Sequence, residues 1–320
     1  MRKALTLLII LLASALTGAL AVWFAGSVLW IYGLVLFLGF PLILGFGAVL
    51  FYEWRLGSGA FGERSLIAAI VAVAGCATGL LTSGVEGAVC ILMAAPLALP
   101  IAALGGFLAH VLHTRFGEGH PVLPLLILFL AAPVLMGAEA AVAPEPELFR
   151  VTTAVEVDAP PETVWRHVVS FSELPPPKEW LFRTGIAYPM RAEIRGRGVG
   201  AVRYCVFSTG AFVEPIEVWD EPRQLQFSVA DNPAPMEEWS PRGSIHPPHL
   251  DGFLMSEKGR FDLEELPGGR TRLVGTTWYR HGLFPSGYWR LWSDGILHRI
   301  HLRVLDHVKR LSEGDRGRSL

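Results

Sequence analysis

Five apolar stretches occupy the first 140 residues, at positions 4–24, 28–51, 65–82, 87–111 and 121–136, and none contains Asp, Glu, Lys or Arg. Each is near the ~20 apolar residues that a helix needs to cross the hydrocarbon core of a bilayer. A soluble domain seldom strings five such helices together on short turns. This half of the chain is therefore expected to form a membrane α-helical bundle of about five spans.

The basic residues orient that bundle, because Lys and Arg in short loops stay cytoplasmic. Arg2 and Lys3 precede the first stretch, Arg55 and Arg64 lie between the second and third, and Arg115 lies between the fourth and fifth. The turns at 25–27 and 83–86 carry no basic residue. The N-terminus is thus expected in the cytoplasm, and an odd number of spans places the C-terminal part outside it. Met1 to Ala21 also has the features of a secretory signal, with Arg2-Lys3 and an Ala19-Leu20-Ala21 cleavage pattern. Its removal leaves four spans and the same final side for the C-terminal part.

Pathways for ions or polar solutes are marked by ionisable groups inside spans, because such groups are expensive in lipid. The interiors of these spans are read as free of them, so a packed anchor is expected rather than a pump or channel. Gly75 and Gly79 form a GxxxG pair suited to close helix packing, and Pro96 and Pro100 suit kinks. Only four of the 27 basic residues are lysine, which favours a GC-rich, bacterial source and hence a bacterial cytoplasmic membrane.

From residue 141 onward the chain has 22 basic and 24 acidic residues, so no basic field invites nucleic acid. Cys76 and Cys90 lie in spans and Cys205 alone lies beyond them, which excludes a disulfide within the C-terminal part. The expected organisation is a transmembrane region at 1–137, a linker at 138–148, a folded domain at 149–313 and a polar tail at 314–320. The linker is rich in Ala, Pro and Glu, which favours a short extended path that keeps the domain close to the membrane.

In the domain, 149–157 alternates like a strand and ends at Asp158-Ala159-Pro160-Pro161-Glu162, where Asp158 suits a helix cap and the prolines a first turn. A helix bearing Val164, Trp165, Val168 and Val169 is expected to follow through Phe171. Strands are expected at 191–195, 200–208, 213–219, 224–230, 250–266 and 271–279, with Pro267-Gly268-Gly269 as a hairpin turn. Residues 286–311 read as one long helix whose apolar positions are Leu291, Trp292, Ile296, Ile300, Val304, Val308 and Leu311.

The order of strand, helix, antiparallel strands and long C-terminal helix resembles the START-like or SRPBCC superfamily. The resemblance covers 149–313. It rests on Val155-Glu156-Val157-Asp158-Ala159-Pro160-Pro161-Glu162-Thr163-Val164-Trp165, the hairpin at 266–273, Gly275-Thr276-Thr277-Trp278-Tyr279 and the last helix. Within the superfamily the polyketide cyclase/dehydrase and lipid-transport branch is the most similar. The resemblance implies an α+β helix-grip domain, a curved antiparallel sheet around the C-terminal helix, with a cavity between them for a lipid, sterol, hormone or polyketide.

Cavity candidates are Tyr204, Cys205, Trp278, Tyr279, Trp292 and His298. On the strand at 200–208 the face of Val202, Tyr204, Val206 and Ser208 looks more like a cavity wall than that of Arg203, Cys205 and Phe207, but Cys205 and Phe207 are also apolar enough, so the sequence leaves the inward face open. Cys205 itself reads as a small buried hydrophobe, since no neighbouring base is evident to activate it. His246, His249 and Asp251 flank a stiff Pro247-Pro248 pair and are the first residues to test as acid and base. No second Cys/His cluster with ligand spacing accompanies them, so no metal and no cofactor is assigned. Trp180, Phe182 and Tyr188, with Lys178 and Arg183, combine the residue types that settle at a membrane interface and are candidates for a gate.

Three functions follow. The first is membrane-anchored binding, with or without transfer, of a hydrophobic small molecule or lipid next to the bilayer. The second is a cyclase- or dehydratase-like enzyme on a membrane-soluble substrate. The third is an interaction or sensory domain whose cavity is filled by its own side chains. No nucleic acid partner is expected.

Overall fold

A computed structural model describes residues 1–57, 62–116 and 122–316. The last four residues of the expected polar tail lie outside these. The chain divides into two compact units. One comprises Met1–Glu145, Glu238–His249 and Gly282–Ser286, and the other comprises Pro146–Glu237, Leu250–His281 and Gly287–Leu320.

The helical unit contains α1 (Arg2–Trp23), α2 (Phe40–Leu56), α3 (Glu63–Ser83), α4 (Ala88–Phe116) and α5 (Val122–Val142). With short π-helical turns adjoining α1 and α2, five helices among the described residues are long and apolar enough to cross a membrane. Close backbone approach sets their packing. A Cβ at Gly75 or Gly79 would run into the carbonyl oxygens of Leu11 and Ala15 on α1, and one at Gly45 would run into Ala102 of α4. Only glycine lets the helix axes come this near. Helix α5 continues well beyond Met136, because Ala138, Ala140 and Ala141 favour helix and the first stop is Pro144. Most of the expected linker is therefore helical, and the extended connection is 143–147.

One expectation about the spans is corrected. Helix α2 runs to Leu56 and so includes Glu53, which is buried and accepts hydrogen bonds from Ser65 Oγ at 2.9 Å and pairs with His110 Nδ1 at 2.8 Å. His110 lies within α4, so two helices do carry ionisable groups that face each other. Counting only Asp, Glu, Lys and Arg passes over the histidine. Ending the second span at Phe51 passes over the glutamate.

The second unit begins with β1 (Leu148–Val157) and α6 (Pro161–Val169), followed by β2 (Pro189–Arg195), β3 (Val202–Phe207), β4 (Gly210–Asp220) and β5 (Gln224–Ser228). The chain then makes a small hairpin, β6 (Glu238–Ser240) and β7 (Gly243–Ile245), that belongs to the helical unit. It returns as β8 (Leu254–Leu266), β9 (Arg270–His281) and the long α7 (Ser286–Arg316). Seven strands form one antiparallel sheet in the order β1-β9-β8-β5-β4-β3-β2. The turn between β8 and β9 is Pro267-Gly268-Gly269, with both glycines at positive φ, where a side chain would be strained. Asp158 does not cap α6. The helix starts at Pro161 with Pro160 at its cap position, and the Asp158 N–H donates to Glu313.

The core is the contact of α7 and α6 with one face of the curved sheet. Val304, Leu305 and Val308 of α7 meet Leu225, Phe227, Leu263 and Leu273, while Val164, Trp165 and Val168 of α6 join from the side. This is the helix-grip arrangement.

Candidate functional site

Between sheet and α7 lies a cavity of about 100 Å³, walled by side chains from β3, β4, β5, β8, β9 and α7. Its wall is mainly Phe207, Phe212, Phe227, Phe261, Ile300 and Val304, into which Arg203, Cys205, Glu214 and His301 introduce polar atoms. Strand alternation brings Arg203, Cys205 and Phe207 to the inside, so of the two candidates on β3 Cys205 lines the cavity and Tyr204, on the face read as the more wall-like, does not. Tyr204 stands on the outer face, half-buried beneath the Arg195 guanidinium at 4.9 Å. Both faces of β3 are apolar enough to be buried, and the inner one brings Arg203 to Glu214 and the Val169 carbonyl.

Arg203 is 1% exposed and donates to Glu214 on the neighbouring strand and, through Nε, to the Val169 carbonyl at 3.2 Å. The rings of Phe171, Phe227 and Phe261 surround its guanidinium, with centroids 5.5–5.7 Å away. Such contacts favour Arg, whose weakly hydrated planar cation stacks on rings. Burial pushes the Glu214 carboxyl up, an effect opposed by Arg203. Burial, reinforced by Glu214, pushes the Cys205 thiol up to about 12, so it stays protonated and is no nucleophile.

Above this pair, His301 spans two threonines, with Nε2 at 2.8 Å from Thr277 Oγ1 and Nδ1 at 3.1 Å from Thr153 Oγ1. Thr153 also meets His298 Nδ1 at 2.8 Å. Burial, with a smaller contribution from His298, lowers the His301 pKa to about 4, so the imidazole is neutral at physiological pH. His298 reaches the edge of this network from an exposed position and does not line the cavity.

The other candidates fall elsewhere. Trp278 is on the outer face, with Lys258 and Arg260 over its ring at 5.6 and 5.4 Å. Tyr279 is fully buried, packs on Phe149 and donates to Asp294 at 2.6 Å, so it fastens α7 to the sheet. Trp292 is half-buried, and Leu291 is 75% exposed. The inward stripe of α7 runs instead through Trp289, Ser293, Leu297, Ile300, Val304 and Val308. In the interface segment Trp180 is 71% exposed but Phe182 is 3% exposed, tilted against Tyr188 at 6.0 Å. A side chain that anchors the segment is not available to a membrane, so Trp180 alone remains of the proposed gate's exposed apolar surface.

His246 and Asp251 are exposed and His249 is buried, and His249 belongs to the helical unit. There Nδ1 is 3.1 Å from Glu86 Oε2 and Nε2 is 2.9 Å from Cys90 Sγ. Arg203, Glu214 and His301 were missed as cavity residues. A lone arginine amid apolar strand neighbours was the available signal for the first.

An antiparallel sheet gripping a long helix, with a largely apolar cavity between them, defines a helix-grip cavity domain, here following five apolar helices. Residues 149–282 match the family described as polyketide cyclase / dehydrase and lipid transport, and the chain carries a domain of that family. No curated protein matches the chain. Among solved structures, norcoclaurine synthase from Thalictrum flavum is similar at 12% identity, over 54% of this chain and 99% of that one, with a TM-score of 0.35. The Zhui aromatase/cyclase from Streptomyces sp. R1128 is similar at 15% identity, over 52% and 94%, with a TM-score of 0.33. The protein XoxI from Bacillus cereus is similar at 17% identity, over 50% and 93%, with a TM-score of 0.33.

Proposed function

We propose that the protein is a membrane-anchored binder of a small hydrophobic molecule bearing one polar group, held between sheet and α7 with its polar end toward Arg203 and His301. The observation that carries this reading is the cavity itself, apolar in most of its wall and polar at a few fixed points. The description of the domain's family, which includes lipid transport, supports it. Binding is favoured over catalysis because the titratable groups are committed. Arg203 and Glu214 neutralise each other, Cys205 is a thiol, and His301 is held neutral between two hydroxyls.

The orientation we propose is a cytoplasmic N-terminus with the C-terminal domain outside, in a bacterial cytoplasmic membrane, on the strength of Arg2, Lys3, Arg55, Arg64 and Arg115. A reporter active only outside the cytoplasm, fused after Leu320, should be active in whole cells, and inactivity there reverses the orientation. Trp180 supplies the exposed aromatic for contact with the bilayer.

The size of the cavity favours a second reading. Pockets for drug-sized ligands are usually ~300–1,000 Å³, against about 100 Å³ here, which suits a domain filled by its own phenylalanines. Mass spectrometry of organic extracts of the purified full-length protein separates the two. Binding predicts one apolar species near stoichiometry that disappears in Ile300→Trp, which fills the cavity. Identical extracts from both proteins support the filled, ligand-free domain.

A further inference from the structure

The hairpin of β6 and β7 and the stiff turn Pro248–Leu250 deliver two buried polar residues to the start of α4. Glu238, 1% exposed, accepts the N–H groups of Val89 at 3.1 Å and Cys90 at 2.8 Å. His249 brings one ring nitrogen to Cys90 Sγ and the other to Glu86. Tyr32, from the loop before α2, donates to Glu86 Oε1 at 2.6 Å and sets its ring edge-on to His249 at 5.6 Å. One atom each from Glu86, Cys90 and His249 lie within 4.8 Å of one another.

Two chemistries fit a thiol, an imidazole and a carboxylate in contact: a nucleophile with its base, or a metal site. A nucleophilic cysteine in the first turn of a helix draws on the positive helix end to hold its thiolate. Here the Glu238 carboxylate already occupies those N–H groups, and Glu86 adds a second buried carboxylate. Between two carboxylates a Cys90 thiolate would form only beside a cation, and a metal ion can supply one. We propose that Cys90, His249 and Glu86 bind a divalent transition metal of the zinc class. The mixture of one sulfur, one nitrogen and one oxygen ligand suits borderline Zn²⁺ and not the hard cations Mg²⁺ or Ca²⁺. Three protein ligands leave a fourth position for water or an anionic group.

Tetrahedral zinc separates a bound sulfur and nitrogen by about 3.5 Å, so Cys90 and His249 part slightly from their 2.9 Å contact. Only one ring nitrogen of His249 can bind the ion, so the imidazole must also give up its present pairing of one nitrogen with each partner. Tyr32 orients Glu86 from behind, as outer-shell hydrogen bonds do for ligating carboxylates. None of the four residues lines the helix-grip cavity, so this site stands or falls apart from ligand binding there.

The test uses full-length protein in detergent, stripped with a chelator and titrated with Co²⁺ and then Zn²⁺. The expected result is one Co²⁺ per chain with a thiolate-to-cobalt charge-transfer band, abolished by Zn²⁺ and absent in Cys90→Ser. Zn²⁺ should also protect Cys90, but not Cys76, from alkylation read at the peptide level. His249→Gln should weaken binding at least 100-fold while leaving the α-helical circular dichroism of the wild type. Absence of the band in folded wild-type protein, or the same band in Cys90→Ser, overturns the proposal.

Discussion

Each unit buries a polar cluster, and the two are built on opposite principles. In the sheet unit, Arg203 meets one carboxylate and three aromatic rings, so a cation and an anion cancel inside the cluster. In the helical unit, Glu86, Glu238, Cys90 and His249 converge with more potential negative charge than positive. A self-neutralised pair needs no counter-ion and can offer a ligand a hydrogen bond only. An acid-rich set of soft and hard donors can hold a counter-ion. Buried charge therefore reads differently according to whether its partner is already in the chain.

The largest effect that tests this contrast is expected at Arg203. Arg203→Met leaves Glu214 buried without its cation and should cost about 3–5 kcal/mol in denaturant unfolding. Adding Glu214→Leu should recover most of the loss. Failure to recover it would mean that Arg203 acts through its rings and not through its ion pair.

His301 should give the next largest effect. Its pKa of about 4 lies below the ordinary 6.5, so between those values the unfolded chain holds a proton that the native one does not. Stability should then fall as pH drops from 6.5 to 4, by about 3 kcal/mol in the limit. His301→Gln should flatten the dependence of the urea midpoint over that window.

Thr153→Val removes the hydroxyl shared by His298 and His301 and should cost about 1–2 kcal/mol. The smallest effect is expected at Tyr32. Its hydroxyl is held well above the usual tyrosine range, by burial first and Glu86 second, so it remains a donor to that carboxylate. Tyr32→Phe should cost about 1 kcal/mol and weaken Co²⁺ binding ~10-fold. Unchanged metal affinity would reduce Tyr32 to a structural contact.

Much of the fold was legible because its signals are local. Unbroken apolar stretches mark helices, Pro267-Gly268-Gly269 marks a hairpin, and seven strands were placed with ends within about four residues of those observed. Errors arose where the pattern is degenerate. Both faces of β3 are apolar enough to bury, and the N-terminal part of α7 presents apolar residues on two sides, so Tyr204 and Leu291, which lie away from the cavity, could not be told from inward residues. For the cluster of His246, His249 and Asp251, sequence neighbours gave no sign of the distant partners of His249. His246 and Asp251 flank His249 in sequence, yet the partners named for it here come from residues far along the chain.

The sequence by itself determined that five apolar helices precede a helix-grip domain, because hydrophobic run length, strand period and turn residues act over a few neighbours. It also excluded a disulfide within that domain, by counting alone. The tertiary structure decided which face of each strand encloses the cavity, that Arg203 and Glu214 meet within it, and that Cys90 and His249 touch across 159 positions of chain. Those outcomes depend on which buried polar groups can satisfy one another once the backbone is closed, and no local pattern carries that information.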